Sequence, residues 1–173
     1  MNYVGIDPGL KGGIAILTPT GKLKNLVSMP TTINDKYQLF KTFNEKDKIY
    51  VEKVHSMPHD SRRGAFTFGY HLAELHTLLW VLNLNYTNIT PRDWQTSFGC
   101  KREKGQSKYD YKRSLRDRAE ENLQRLSRSK GLRQESKQSS IRLEYWTKQL
   151  TLNTCDAYLI ALYAYQKEKN EKS

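Results

Sequence analysis

Residues 2 to 29 hold three short apolar runs broken by turn residues, and that spacing leaves little room for anything but an antiparallel β-meander. The runs at 2–6 and 12–17 meet at Asp7-Pro8-Gly9-Leu10-Lys11, and Gly21-Lys22 turns the chain into the third, L-K-N-L-V-S-M at 23–29. Beyond Pro30 the periodicity changes. Tyr37, Leu39, Phe40 and Phe43 recur at roughly helical spacing, and K-I-Y-V-E-K-V at 48–54 reads as a strand that a crossover helix would deliver beside the first. A polar stretch at 55–64 reads as a loop. Phe66, Phe68, Leu72, Leu75, Leu79 and Leu82 then mark an amphipathic helix over 65–82, followed by a strand at 85–89 and a short helix opening at T-P-R-D-W-Q-T, 90–96. Five strands alternating with helices predict an α/β domain with a mixed five-stranded sheet and helices on both faces.

With 173 residues the chain fits one domain, 1–173. No apolar run approaches the roughly 20 residues that a membrane helix requires, and the N-terminus has no signal-peptide pattern, so the expected location is cytoplasmic. Cys100 and Cys155 lack metal-ligand spacing and are expected to be two reduced thiols. Charge is the stronger signal. There are 29 Lys and Arg against 18 Asp and Glu, a net charge of +11, which favours a polyanionic partner and in the simplest case nucleic acid. Residues 101–148 contribute 15 Lys and Arg against 7 Asp and Glu. This basic helical insertion, about 101–147, is expected to form a long helix near 111–126, a flexible linker at 127–140 and a second helix with Leu143, Tyr145, Trp146 and Leu150. A final helix over 154–168 leads into a frayed tail from about 167 to 173.

Three carboxylates stand at element boundaries far apart in the chain. Asp7 ends a strand before a Pro-Gly turn, Glu52 lies in a β-branched run, and Asp156 opens an apolar helix. Groups so placed can converge at one sheet edge. Like charges share a site only at a cost unless a cation neutralises them, and Mg2+ or Mn2+ accepts oxygen ligands of this kind. Taken singly, each has a plainer explanation as a turn residue, a paired edge charge or a helix cap. No Ser-His-Asp or Cys-His arrangement competes, because the four histidines all lie between 55 and 76 and no serine has a nucleophile-elbow context.

The strand with G-I-D-P-G, the V-E-K-V strand, F-T-F-G-Y-H-L-A-E-L, I-T-P-R-D-W-Q and the helix starting D-A resemble the RuvC-like Holliday junction resolvases of the RNase H superfamily, the phage-type members most of all. The resemblance covers most of 1–100 and 148–165. G-I-D-P-G alone is weak evidence, since actin-like and sugar-kinase ATPases open similarly, but this chain has no second domain or second phosphate loop. The resemblance implies an RNase H-like fold and a divalent-metal-dependent endodeoxyribonuclease using two Mg2+ or Mn2+ ions. It assigns the metal and catalytic positions to Asp7, Glu52, Asp156 and position 153. There the family carries an acidic residue or a histidine and this chain has Asn153. Either three carboxylates suffice or Asn153 replaces an aspartate. His55 matches the position of the family's junction-opening aromatic.

The implied partners are branched DNA, a four-way junction above all, and a second copy of the chain. Phosphates are expected at Lys11, Arg62 and Arg63, and along the basic segment at Lys101, Arg102, Lys104, Lys108, Lys112, Arg113 and Arg116. The helix at 65–82 is where the family dimerises, and its broad face of Leu72, Leu75, His76, Leu79 and Leu82 is a candidate interface, with plain core packing as the rival. A branched-DNA-binding protein that does not cut, as Asn153 permits, is the second reading of the whole.

Overall fold

The structure, a computed structural model, describes residues 1–54, 61–128 and 137–171, with the side chains of 128 and 137–141 outside the description. The expected meander is present as β1 (Tyr3–Asp7), β2 (Gly13–Leu17) and β3 (Leu23–Ser28), all antiparallel. Helix α1 (Ile33–Phe40), capped by Thr32, crosses to β4 (Lys48–Glu52), and α2 (Arg62–Val81) crosses to β5 (Tyr86–Ile89). Both crossovers deliver parallel pairings, β1 with β4 and β4 with β5, which gives the order β3-β2-β1-β4-β5. Four helices complete the chain: α3 (Pro91–Ser97), α4 (Lys108–Arg128), α5 (Lys137–Gln149) and α6 (Cys155–Asn170).

Strand alternation sorts the side chains into two cores. Val4, Ile6, Ile14, Ile16, Ile49 and Val51 face α1 and α2, while Tyr3, Ala15, Leu17 and Tyr50 face α6, α3 and α4. Helix α6 is the centre of the second core, with residues 155–162 and 164 all buried. It lies so close to β1 that a Cβ at Gly5 would collide with the backbone of Ala157 and Ala161. Helix α4 lies on α6 through Leu115, Ala119 and Leu123, an i, i+4, i+8 stripe that is buried throughout.

Several boundaries differ from the sequence reading, each for a local reason. Helix α2 starts at Arg62 because the Ser61 hydroxyl caps it by accepting from the Gly64 N–H at 3.0 Å, so Arg62 and Arg63 lie on its first turn rather than in a loop. Helix α4 starts at Lys108, where Ser107 Oγ accepts from the Asp110 N–H at 3.0 Å. The expected linker at 127–140 is helical at both ends, and its centre, 129–136, lies outside the described residues. The expected frayed tail is helical through Asn170. Glu168 accounts for this by pairing with Lys48 at 3.3 Å and accepting from the Tyr50 hydroxyl at 3.5 Å.

Cys100 and Cys155 are both buried and unpaired. Among the described residues, no helix is long and apolar enough to cross a membrane.

Candidate active site

The pairing of β1 with β4 sets the site. Ile6 lies opposite Val51, so one step further along these parallel strands Asp7 and Glu52 stand side by side at their carboxyl ends. Strand alternation turns both toward α6, the face shared by Tyr3 and Tyr50. Helix α6 brings Asp156 to the same edge on its first turn, where the positive end of the helix dipole favours a carboxylate. The small residue at position 5 is what allows that helix to come close enough.

Each carboxylate is held by a specific donor. Asp7 Oδ1 accepts from the Gly9 N–H at 3.1 Å, a bond made within the Asp-Pro-Gly turn itself. Gly12 closes that turn against Asp7 so tightly that a Cβ there would strike the aspartate. Glu52 is 8% exposed and its Oε1 accepts from the Trp94 indole N–H at 2.9 Å. Trp94 is wholly buried on α3, and a capping box on Thr90 and Asp93, with Pro91 in the first turn, fixes where that helix begins. Asp156, 5% exposed, takes the Lys112 ammonium on Oδ2 and has the Cys155 thiol 3.3 Å from Oδ1.

The cluster is short of positive charge. Burial, then repulsion from Asp156, pushes the Asp7 carboxyl up to about 6, against the opposing pull of the Gly9 N–H and Lys112. Burial, then Asp7 and Asp156, pushes Glu52 up to about 8, with the Trp94 hydrogen bond and Lys112 opposing. For Lys112 burial alone would lower the pKa. Asp156, through charge and hydrogen bond, and then Cys155 and Asp7, outweigh it and hold the ammonium above its ordinary value. Hard oxygen donors with too little compensating charge suit a divalent cation, for which Asp7, Glu52 and Asp156 are the available ligands. Among the described residues, no three His, Cys, Asp or Glu side chains are arranged to hold a metal ion.

Among the described residues, Asn153 makes no hydrogen bond to these carboxylates. The segment Thr151–Thr154 folds on itself, with Thr151 Oγ1 accepting from the N–H groups of Asn153 and Thr154, both at 3.2 Å, and Asn153 remains exposed. Lys112, one of the residues expected to meet phosphate, pairs with Asp156 at the carboxylate site. Arg116 is also engaged, donating to the Leu150 carbonyl at 3.2 Å and pairing with Glu120 at 3.5 Å. Lys11, Arg62, Arg63, Lys101, Arg102, Lys104, Lys108 and Arg113 are all exposed. Of these, Arg102 folds back onto the Gln106 carbonyl at 2.8 Å. His55 lies outside the described residues, as do Met57 and His59.

The sequence alone gives Trp94 no role and Lys112 only a phosphate contact, without its pairing to Asp156. Signals for both were present. T-P-R-D is a capping-box pattern that points the next residue inward. Lys112 lies three residues before Leu115 and seven before Ala119, on the inward stripe of α4.

Part of the expected dimer face lies inside the protein. Leu75 and Leu79 are core residues at 1% and 0% exposure, as the rival reading held, and the outward stripe of α2 carries Phe66, Tyr70, Trp80 and Val81, exposed by 77%, 57%, 79% and 61%.

The mixed five-stranded sheet with helices on both faces is the RNase H-like fold as RuvC proteins have it. It superposes on Thermus thermophilus RuvC solved in complex with a Holliday junction substrate with a TM-score of 0.58, covering 98% of this chain and 96% of that one at 14% identity. A second Thermus thermophilus RuvC structure gives a TM-score of 0.56 over 98% and 97% of the chains, also at 14% identity. No protein-family model and no curated protein matches the sequence.

Proposed function

We propose that this protein is a divalent-cation-dependent endonuclease that cuts branched DNA, with Holliday junctions as the substrate, in the cytoplasm of the cell that holds that DNA. The observation that carries the reading is the convergence of Asp7, Glu52 and Asp156 at the carboxyl ends of β1 and β4, with Glu52 and Asp156 buried, Asp7 half-buried and the cluster incompletely neutralised. When bound, Mg2+ or Mn2+ would activate a water and stabilise the leaving oxygen of a phosphodiester. The chain's own part is to hold the carboxylates oriented. Gly9 fixes Asp7, Trp94 fixes Glu52, and the first turn of α6 fixes Asp156.

The basic residues support a polyanionic substrate. Lys101, Lys104, Lys108 and Arg113 are exposed on and before α4, the helix that also sends Lys112 into the site, so a backbone gripped there would run toward the carboxylates. Two symmetric cuts across a four-way junction call for two sites related by a two-fold axis. The outward stripe of α2, with Phe66, Tyr70, Trp80 and Val81, offers a self-complementary face for a second copy. Sedimentation should give a dimer at micromolar concentration and a monomer for Tyr70→Ser with Trp80→Ser. A wild-type monomer would remove this interface.

The deciding experiment is cleavage of a labelled four-way junction and a matching linear duplex in Mg2+, in Mn2+ and in EDTA. Paired nicks confined to the junction and dependent on the cation establish the reading. The Lys112–Asp156 ion pair supports one other reading, a junction-binding protein that does not cut, because the site already holds a cation of its own. Tight junction binding without cleavage in any lane would establish that one.

A further inference from the structure

Two divalent ions in an acidic site need enough carboxylate charge and enough free oxygen atoms to hold them, and here both fall short. With all three carboxylates ionised, as a bound cation would require, one ammonium leaves two negative charges, the charge of a single divalent cation. Two such ions together with Lys112 would leave a surplus of two positive charges in a largely buried cluster before any DNA arrived. A fourth carboxylate would reduce that surplus, but position 153 holds a neutral, exposed asparagine whose loop is closed by hydrogen bonds to Thr151.

The oxygen atoms point the same way. Asp156 has Lys112 on Oδ2 and the Cys155 thiol at 3.3 Å from Oδ1. Among the described residues, the site oxygens without a hydrogen-bond partner are Asp7 Oδ2 and Glu52 Oε2, since Gly9 occupies Asp7 Oδ1 and Trp94 occupies Glu52 Oε1. These two belong to neighbouring residues on paired strands. Lys112 reaches Asp156 from α4, anchored by Leu115, Ala119 and Leu123 on the same buried stripe. An ammonium so placed is a compact, strongly charged donor able to hold a carboxylate or a phosphate oxygen where a metal ion otherwise would.

We propose that the Lys112 ammonium takes the place of a second metal ion, so that the folded site binds one divalent cation, held between Asp7 and Glu52, with the lysine serving Asp156 and the substrate phosphate. This rests on the nuclease reading and refines it, with one ion where the family resemblance implies two. Lys112 is thereby a catalytic residue, supplying charge at the phosphate that a metal would supply, and Asn153 is consistent with it because a one-ion site does not call for a fourth carboxylate.

The test is to count ions on the full chain. Mn2+ is titrated into the metal-free protein and the tightly bound fraction is read by electron paramagnetic resonance and calorimetry. Asp7→Asn serves as the blank that removes the site. The expected result is one Mn2+ per chain for the wild type and for Lys112→Arg, and a second ion for Lys112→Met combined with Asn153→Asp. Two ions on the wild type overturn the proposal, and so does a single ion on the double variant when that variant keeps the wild-type circular dichroism. If the double variant does not fold, the wild-type and Lys112→Arg counts still decide. Junction cleavage measured in parallel separates the two levels. Two ions with metal-dependent cleavage refute only the lysine's role. No Mn2+ and no cleavage refute the nuclease reading and this inference together.

Discussion

Glu52 makes the metal-free protein sensitive to pH in the direction opposite to that of most carboxylates. Its pKa in the folded chain is about 8 against an ordinary 4.5, so over that interval the native state binds a proton that the unfolded chain releases. Stability therefore falls as pH rises through the window, by up to about 1.4 kcal/mol per pH unit for each such group. At 8% exposure, solvent screens Glu52 little, and a rise from about pH 5 to about pH 7.5 should cost about 3 kcal/mol from this residue. Asp7, raised to about 6, adds about 1 kcal/mol lost mostly below about pH 6. Lys112, held above its ordinary value, keeps its contribution at every pH below the usual lysine range and loses it only at higher pH. His76 acts the other way, because burial depresses its pKa and its contribution grows as pH rises through the ordinary histidine range. Comparison with Glu52→Gln cancels that background. The glutamine keeps an acceptor for Trp94 and carries no charge. Urea melts in EDTA should show the wild type losing about 3 to 4 kcal/mol between about pH 5 and about pH 7.5, a large share of a typical domain's stability, and the variant losing about 1 kcal/mol or less. Millimolar Mg2+ at the higher pH should restore most of the wild-type loss and little of the variant's. A wild-type stability that is level or rises across this range would refute the claim that the cluster is buried and under-neutralised.

Two other perturbations separate the parts of the site. Trp94→Phe removes the indole donor from Glu52 while keeping an aromatic ring in the core, and Mn2+ affinity should fall by about 10- to 100-fold, as for other losses of a donor behind a metal ligand. Junction binding in EDTA should stay at wild-type strength, and a matching loss there would mean the tryptophan acts through general folding. Lys104→Ala with Lys108→Ala removes two exposed cations, and the slope of log junction affinity against log salt should drop by about 1.8. An unchanged slope would take both off the DNA.

The fold was legible where local rules and tertiary demands agree. The meander, both crossovers and the order of elements follow from apolar spacing and turn residues, because β1, β2 and β4 are buried on both faces and their sequences are correspondingly apolar. The three carboxylates were legible because each interrupts such a pattern at the end of an element. Residues whose part depends on direction rather than type were harder to read. Arg62 and Arg63 look like loop residues until Ser61 is seen to cap α2. The leucines of α2 suggest an interface until the core between the sheet and α1 and α2 is seen to absorb them. Asn153 has the spacing of a ligand, and only the hydrogen bonds of Thr151 show that its loop leaves it exposed.

The basic segment shows how far composition can go. Its charge count treats every lysine and arginine of 101–148 alike, but α4 sorts them by face. Leu115, Ala119 and Leu123 fix the inward side, and Lys112, one turn before Leu115 on that side, enters the protein and pairs with Asp156. Lys108, a further turn back at the helix start, and Arg113, off the stripe, are exposed. A helix with this pattern does two electrostatic jobs at once. Its outer face presents screened, salt-sensitive charge, which the proposed DNA contact would use, while one inner residue offers charge to a carboxylate that would otherwise be buried without enough compensation. The two effects differ in their dependence on ionic strength. Salt should therefore weaken DNA binding steeply while leaving the Lys112–Asp156 pair, and the position of α4 over the site, largely unchanged.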